Sequence, residues 1–118
     1  MVLVDTSIWI DFFRSGNAEL TNLLNQGHVY AHPFVLGELA CGHLTPREDI
    51  LKLLATLPTV STATSEEVLQ LIEDRKLFGL GLGYIDIHLL ASALLSHTSL
   101  WTRDKKLAKA AEKLRLAF

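Results

Sequence analysis

Short apolar runs alternate with longer helix-like stretches from one end of this 118-residue chain to the other, and that alternation restricts the architecture more than any other property. Val2 to Val4, Val29 to Ala31, Thr59 to Ser61, Thr98 to Thr102 and Leu116 to Phe118 have the length and content of strands. The stretches between them carry apolar residues at helical spacing, as Leu20, Leu23 and Leu24 do, and as Ile50, Leu51, Leu53, Leu54 and Leu57 do. Strands separated by helices pair in parallel, because parallel neighbours need long crossover connections. The pattern therefore predicts an α/β fold, a three-layer sandwich with a parallel sheet of about five strands between helices. There is no repeat and no linker composition, so residues 1–118 are expected to form a single domain.

Punctuating residues sharpen this reading. Gly27 stops the helix that begins near Ala18, Pro33 suits the first turn of a helix over Phe34 to His43, and Pro46 and Pro58 bracket the next one. Thr64 and Glu67 have capping-box spacing for a helix running towards Phe78. Gly79, Gly81 and Gly83 then interrupt the chain before Tyr84 to Leu95, which is apolar except for Asp86, His88 and Ser92, as a helix packed on several sides should be. Asp104 to Leu114 reads as a last amphipathic helix.

With 49% hydrophobic and 20% charged residues, the chain has enough apolar surface to fold and too little net charge to stay disordered. Its apolar runs are far shorter than the roughly 20 residues a membrane helix needs, and no basic region precedes an apolar stretch at the N-terminus, so a cytoplasmic location is expected. The lone Cys41 sits among apolar residues, where a core position is expected. A formal charge of −2 gives no bulk attraction to nucleic acid, so positive surface for such a partner has to be local.

In open α/β sheets, ligands bind beyond the carboxyl ends of the strands. Asp5 follows the first strand directly, Asp104 follows the fourth by way of Thr102 and Arg103, and Asp86 begins the helix after the glycine-rich turn. Glu38 lies on the helix after the second strand. Four carboxylates at one edge would repel one another unless protonated or bridged by a cation. An all-carboxylate set with no helical histidine pair suits Mg²⁺ or Mn²⁺ and not zinc. Such a centre hydrolyses phosphodiesters by activating water and stabilising charge on the phosphate. Thr6, Ser7 and Thr102 are placed to hold the carboxylates or a metal-held water in position. Asp5, Asp86 and Asp104 could equally serve as helix caps. Glu38 has no such alternative, being mid-helix among Phe34, Val35, Leu36, Leu39 and Ala40, where a half-buried acid requires a partner.

Three segments resemble the PIN-domain ribonucleases, and within them the VapC toxins of prokaryotic toxin-antitoxin pairs. Val2-Leu3-Val4-Asp5-Thr6-Ser7-Ile8-Trp9-Ile10-Asp11 is similar to the family's first strand and acidic turn, and Gly81-Leu82-Gly83-Tyr84-Ile85-Asp86-Ile87-His88-Leu89-Leu90-Ala91-Ser92-Ala93 to its central acidic helix. Leu100-Trp101-Thr102-Arg103-Asp104-Lys105-Lys106-Leu107 resembles its last acidic loop, and Glu38 in Val35-Leu36-Gly37-Glu38-Leu39 its helical glutamate. The resemblance implies Mg²⁺- or Mn²⁺-dependent RNA cleavage leaving 5′-phosphate and 3′-hydroxyl ends, with Asp5, Glu38, Asp86 and Asp104 as catalytic metal ligands. It also implies a cognate VapB-like antitoxin whose tail crosses the acidic groove, and a homodimer, for which Leu20 to Leu24 or Phe34 to Leu39 could supply a face.

Arg14, Arg103, Lys105 and Lys106 lie near the acids in sequence and could bind RNA phosphates; otherwise they are solvated surface charges. Trp9 and Trp101 are expected as core anchors. Two other functions fit the same acids: a different Mg²⁺-dependent α/β phosphohydrolase, or a non-catalytic module that recognises a basic tail. A phosphatase nucleophile is usually followed two residues later by a second aspartate, where this chain has Ser7.

Overall fold

The computed structural model describes residues 1–118. Along the chain run β1 (Val2–Val4), α1 (Thr6–Ser15), α2 (Ala18–Asn25), β2 (Val29–Tyr30), α3 (Pro33–Cys41), α4 (Arg47–Ala55), α5 (Ser65–Asp74), α6 (Tyr84–Leu95), β3 (Ser99–Trp101) and α7 (Lys105–Lys113). The expected stops and starts have physical counterparts. Gly27 adopts φ 72, a left-handed conformation that costs glycine nothing, and lets His28 N–H reach back to the Leu23 carbonyl. Thr64 and Glu67 close a reciprocal capping box at the start of α5, at 3.1 and 2.9 Å.

All pairings in the sheet are parallel, in the order β2-β1-β3. The strands expected at Thr59 to Ser61 and Leu116 to Phe118 contract to single parallel bridges, Ala31 to Thr59 on one edge and Leu100 to Ala117 on the other. Five chain segments lie side by side, but only three are strands. Pro58 has no N–H to carry the first bridge further, so that edge is held by Ala31 N–H to the Pro58 carbonyl and Val60 N–H to the Ala31 carbonyl, both 2.9 Å. On the other edge, Arg115 turns the chain at φ 60 immediately before the bridge.

The middle strand is the anchor of the core. Val2, Leu3 and Val4 are 1%, 0% and 0% exposed, and successive side chains of a strand point to opposite faces, so helices cover the sheet on both sides. Burying such side chains stabilises the fold by roughly 1.5–3 kcal/mol each. Every residue of α6 from Ile87 to Ala93 is buried, which makes it the central helix, packed against α5 and β3. Trp9 is buried against Phe12 and Phe13, while Trp101 is half-buried and packs on Phe118. Leu20 is fully buried and Leu23 and Leu24, half-buried, pack on the core, so the apolar side chains of this stretch serve the interior first. Cys41, expected in the core, is exposed, because it is the last residue of α3 and the chain leaves the body there. No helix is long and apolar enough to cross a membrane.

His32 and Ser92, both buried in this core, pair with each other. His32 caps α3, its Nδ1 accepting from Phe34 N–H at 3.0 Å, which leaves the neutral ring's proton on Nε2, 3.1 Å from Ser92 Oγ on α6. Burial, with a smaller contribution from neighbouring His88, pushes the His32 pKa down to about 4. The unfolded chain then binds a proton that the folded chain refuses between pH 6.5 and 4, so stability falls as pH drops through that window. At about 1.4 kcal/mol per pKa unit, the loss reaches on the order of 3 kcal/mol. Urea unfolding at pH 7 and pH 4.5 should reveal this decline in the wild type and a distinctly smaller one in His32→Gln; equal slopes would place the proton uptake elsewhere.

Candidate active site

Three helix N-termini meet beyond the carboxyl ends of β1 and β3, and at each one of the expected aspartates accepts a hydrogen bond from a backbone amide. Asp5 ends β1 and caps α1, with Oδ1 accepting from Thr6 N–H at 2.7 Å. Asp104 caps α7, accepting from Leu107 N–H at 2.9 Å. Asp86, three residues into the first turn of α6, reaches back to accept from Gly83 N–H at 2.9 Å. The turn that presents it needs glycine: Gly79 and Gly81 adopt φ 70 and 77, and a Cβ at Gly81 would stand 2.8 Å from Lys106 Nζ.

Capping is thus a real role for all three aspartates, yet it occupies one oxygen in Asp86 and one in Asp104. The other oxygen of each has no hydrogen-bond partner in the protein. Asp5 is different. Only 8% exposed, it accepts at Oδ2 from Thr102 Oγ1 at 2.7 Å and from Ser7 Oγ at 3.0 Å. Both hydroxyls also accept from the next loop: Thr102 Oγ1 from Asp104 N–H at 3.0 Å, and Ser7 Oγ from Arg103 N–H at 3.1 Å. One carboxylate and two hydroxyls therefore tie β1, α1 and the loop leading to α7 into one unit. Thr6 Oγ1 points the other way and donates to Glu38 Oε1 on α3 at 2.8 Å.

Asp5, Thr6, Ser7, Glu38, Asp86 and Asp104 all line one open groove of about 540 Å³, completed by Gly83, Tyr84 and Ile85. Glu38 is exposed, contrary to the half-buried position expected of it, because its turn of α3 faces the groove and not the core; Thr6 is the partner it requires. The electrostatics reflect the crowding. Burial raises the Asp86 pKa, the Gly83 hydrogen bond opposes that, and the Asp104 and Asp5 carboxylates add to the rise.

No three acidic, His or Cys side chains converge closely enough to enclose an ion unaided. Mg²⁺ and Mn²⁺ do not need such a cage, since they keep several waters and take one or two carboxylates directly. Unpartnered oxygens on Asp86 and Asp104, and an Asp86 carboxyl pushed up by burial and, to a lesser degree, by like charges, are what a hydrated divalent cation would relieve. The residues fit the ion.

The basic residues are arranged differently. Arg14, Arg103, Lys105 and Lys106 are exposed, and none lines the acidic groove. Arg14 shares a neighbouring cavity with Glu38, Ile10 and His43. The Lys106 side chain lies against Gly81. Arg103, expected as a free cation beside the acids, is ion-paired to Asp11 of α1. Asp11 is absent from the residues expected at the site, although an acid one turn beyond Ser7, between Ile10 and Phe12, carries the same signal that singles out Glu38. Tyr84 and Ile85, also not expected at the site, wall the groove.

The family model described as PIN domain matches residues 2–113. Among curated proteins, the chain is 46% identical over 111 residues to ribonuclease VapC32 of Mycobacterium tuberculosis, found in each of two strains, covering 93% of this chain and 90% of the relative. Among solved structures, it is similar to a toxin-antitoxin complex from Klebsiella pneumoniae, with a TM-score of 0.70, 25% identity, and coverage of 92% and 91% of the two chains. The crystal structure of PAE2754 from Pyrobaculum aerophilum shares the fold, with a TM-score of 0.70 at 18% identity, covering 99% of this chain and 87% of the other.

The hub at Asp5 makes a measurable contribution to stability. Thr102→Val removes a donor to Asp5 and the acceptor of Asp104 N–H, and should lower unfolding free energy by about 1–2 kcal/mol in urea titrations. A change within error would mean that water replaces both bonds.

Proposed function

This chain belongs to the PIN-domain family, and from that premise we propose that it is a Mg²⁺- or Mn²⁺-dependent endoribonuclease, the toxin of a VapBC-type toxin-antitoxin pair, acting as one domain over residues 1–118. The observation that carries the reading is the single groove lined by Asp5, Glu38, Asp86 and Asp104, in which burial first, and the Asp104 and Asp5 carboxylates after it, raise the Asp86 pKa. The 46% identity to a ribonuclease over 93% of the chain supports the substrate class.

Asp5, Asp86 and Asp104 would hold the ion, Asp86 and Asp104 with their unpartnered oxygens and Asp5, whose oxygens are both hydrogen-bonded, through the ion's waters, as Glu38 would. A divalent cation held there supplies Lewis-acid activation of water and of the scissile phosphate. The chain's own groups set the geometry. Ser7 and Thr102 fix the Asp5 carboxylate by charge-assisted hydrogen bonds, and Thr6 fixes Glu38. The N-termini of α1, α6 and α7 place positive dipole ends beside the carboxylates and favour the ionised forms that ligation requires. Cleavage at the phosphate leaves a 5′-phosphate and a 3′-hydroxyl. Arg14, which shares a neighbouring cavity with Glu38, and Lys105 and Lys106, which open α7 directly after Asp104, would meet flanking phosphates.

A cognate VapB-like antitoxin with a basic tail is the expected inhibitor, since an acidic groove attracts it as it attracts a cation. The toxin-antitoxin complex among the structural relatives supports such a partner. A homodimer is part of the proposal, with Phe34 and Ile85, 40% and 36% exposed beside the groove, as its apolar face.

Purified protein should cleave structured RNA with Mg²⁺ or Mn²⁺, and EDTA should stop it. Asp5→Asn and Asp86→Asn should each lower the rate by roughly a hundredfold or more, beyond the about 10- to 100-fold that losing an outer partner of a metal ligand costs. Wild-type rates in both folded variants, checked by circular dichroism, would sink the nuclease assignment.

A further inference from the structure

Arg103 touches α1 twice. Its backbone N–H donates to Ser7 Oγ at 3.1 Å, and its guanidinium pairs with the Asp11 carboxylate, one helical turn further along the same face. The Asp11 oxygen in the pair is shielded from solvent, although the Arg103 side chain is 65% exposed. On either side of Arg103, Thr102 Oγ1 holds Asp5 and accepts from Asp104 N–H. The short loop that carries Asp104 is thereby gripped at three consecutive residues, and the grip at its centre extends outwards only through Asp11.

We propose that Asp11 and Arg103 form a positioning clamp for the active site: the pair fixes the Thr102–Asp104 loop on α1 and so sets the place of the Asp104 carboxylate relative to Asp5. Arg103 is on this account not a phosphate contact, because its charge is committed to Asp11 and it does not line the groove. The inference rests on the nuclease reading above. An ion pair this exposed contributes little to stability, so its effect lies in geometry. Displacing one metal ligand by a fraction of an ångström costs cation affinity and turnover, and leaves RNA attraction unchanged.

The charges make the clamp separable from a field effect. Asp11→Asn removes a negative charge and Arg103→Gln a positive one, so altered potential alone would weaken Mn²⁺ binding in the first variant and strengthen it in the second. A clamp predicts that both weaken it, by about tenfold in calorimetric Mn²⁺ titration of the metal-free protein. It also predicts that kcat for RNA cleavage falls by a similar factor with KM within twofold of wild type, and that the double variant is no worse than either single one. Opposite shifts in Mn²⁺ affinity, or a raised KM with kcat intact in Arg103→Gln, would overturn the clamp while leaving the nuclease reading standing. Failure of the wild-type protein to bind Mn²⁺ and cleave RNA would overturn the nuclease reading itself. Arg103→Lys, which keeps the charge but loses the planar fork, should fall between wild type and Arg103→Gln in Mn²⁺ affinity.

Discussion

The Asp5 carboxylate accepts hydrogen bonds from Thr6, Ser7 and Thr102, and through them joins the end of the central strand to the first turn of α1 and to the loop after β3. Everything else at this edge depends on that arrangement. β1 is the middle strand and is buried on both faces, so its carboxyl end cannot move without disturbing the whole sheet. Thr102 and Ser7 then transmit that rigidity to Asp104 and Arg103 through backbone amides. A carboxylate in a nearly closed position would be costly if unpaired; three donors make it tolerable and at the same time fix its direction.

The same economy explains why the aspartates carry two roles. A helix N-terminus has amide groups with no partner inside the helix, and an aspartate at the cap satisfies one of them while its charge faces the positive end of the helix dipole. Asp104 meets that need at the cap of α7, and Asp86 does the like from the first turn of α6 by accepting from Gly83 N–H; each uses one oxygen and lines the groove with the second unpartnered. Capping and ligation therefore do not compete. Capping is what holds each carboxylate in one orientation before any cation arrives, and the convergence of α1, α6 and α7 offsets part of the repulsion that remains in the raised Asp86 pKa.

Particular residues mark how far the sequence could be read. The helices were legible because periodicity, glycine stops and the Thr64–Glu67 box are local, and local chemistry decides them. The outer strands were overestimated: Thr59 to Ser61 and Leu116 to Phe118 have strand-like content, but a strand exists only where a neighbour supplies a ladder, and here each neighbour supplies a single bridge. Cys41 and Glu38 were assigned surroundings by their apolar sequence neighbours. Their exposure was settled by which turns of α3 face the core, a property of the packing of that helix on the rest of the molecule.

By itself, the sequence determined the alternating α/β architecture and the candidate acids Asp5, Glu38, Asp86 and Asp104, because strand ends and helix starts are fixed by neighbours a few residues away and carboxylates at those junctions are visible as letters. Only the tertiary structure decided which side chains share one groove, that Glu38 answers to Thr6, and that Arg103 belongs to Asp11. Those partners are separated by 32 residues in the first pair and lie on different elements in the second. Charge pairing and hydrogen bonding act over a few ångströms of space, and a linear pattern has no record of that distance until the sheet has folded.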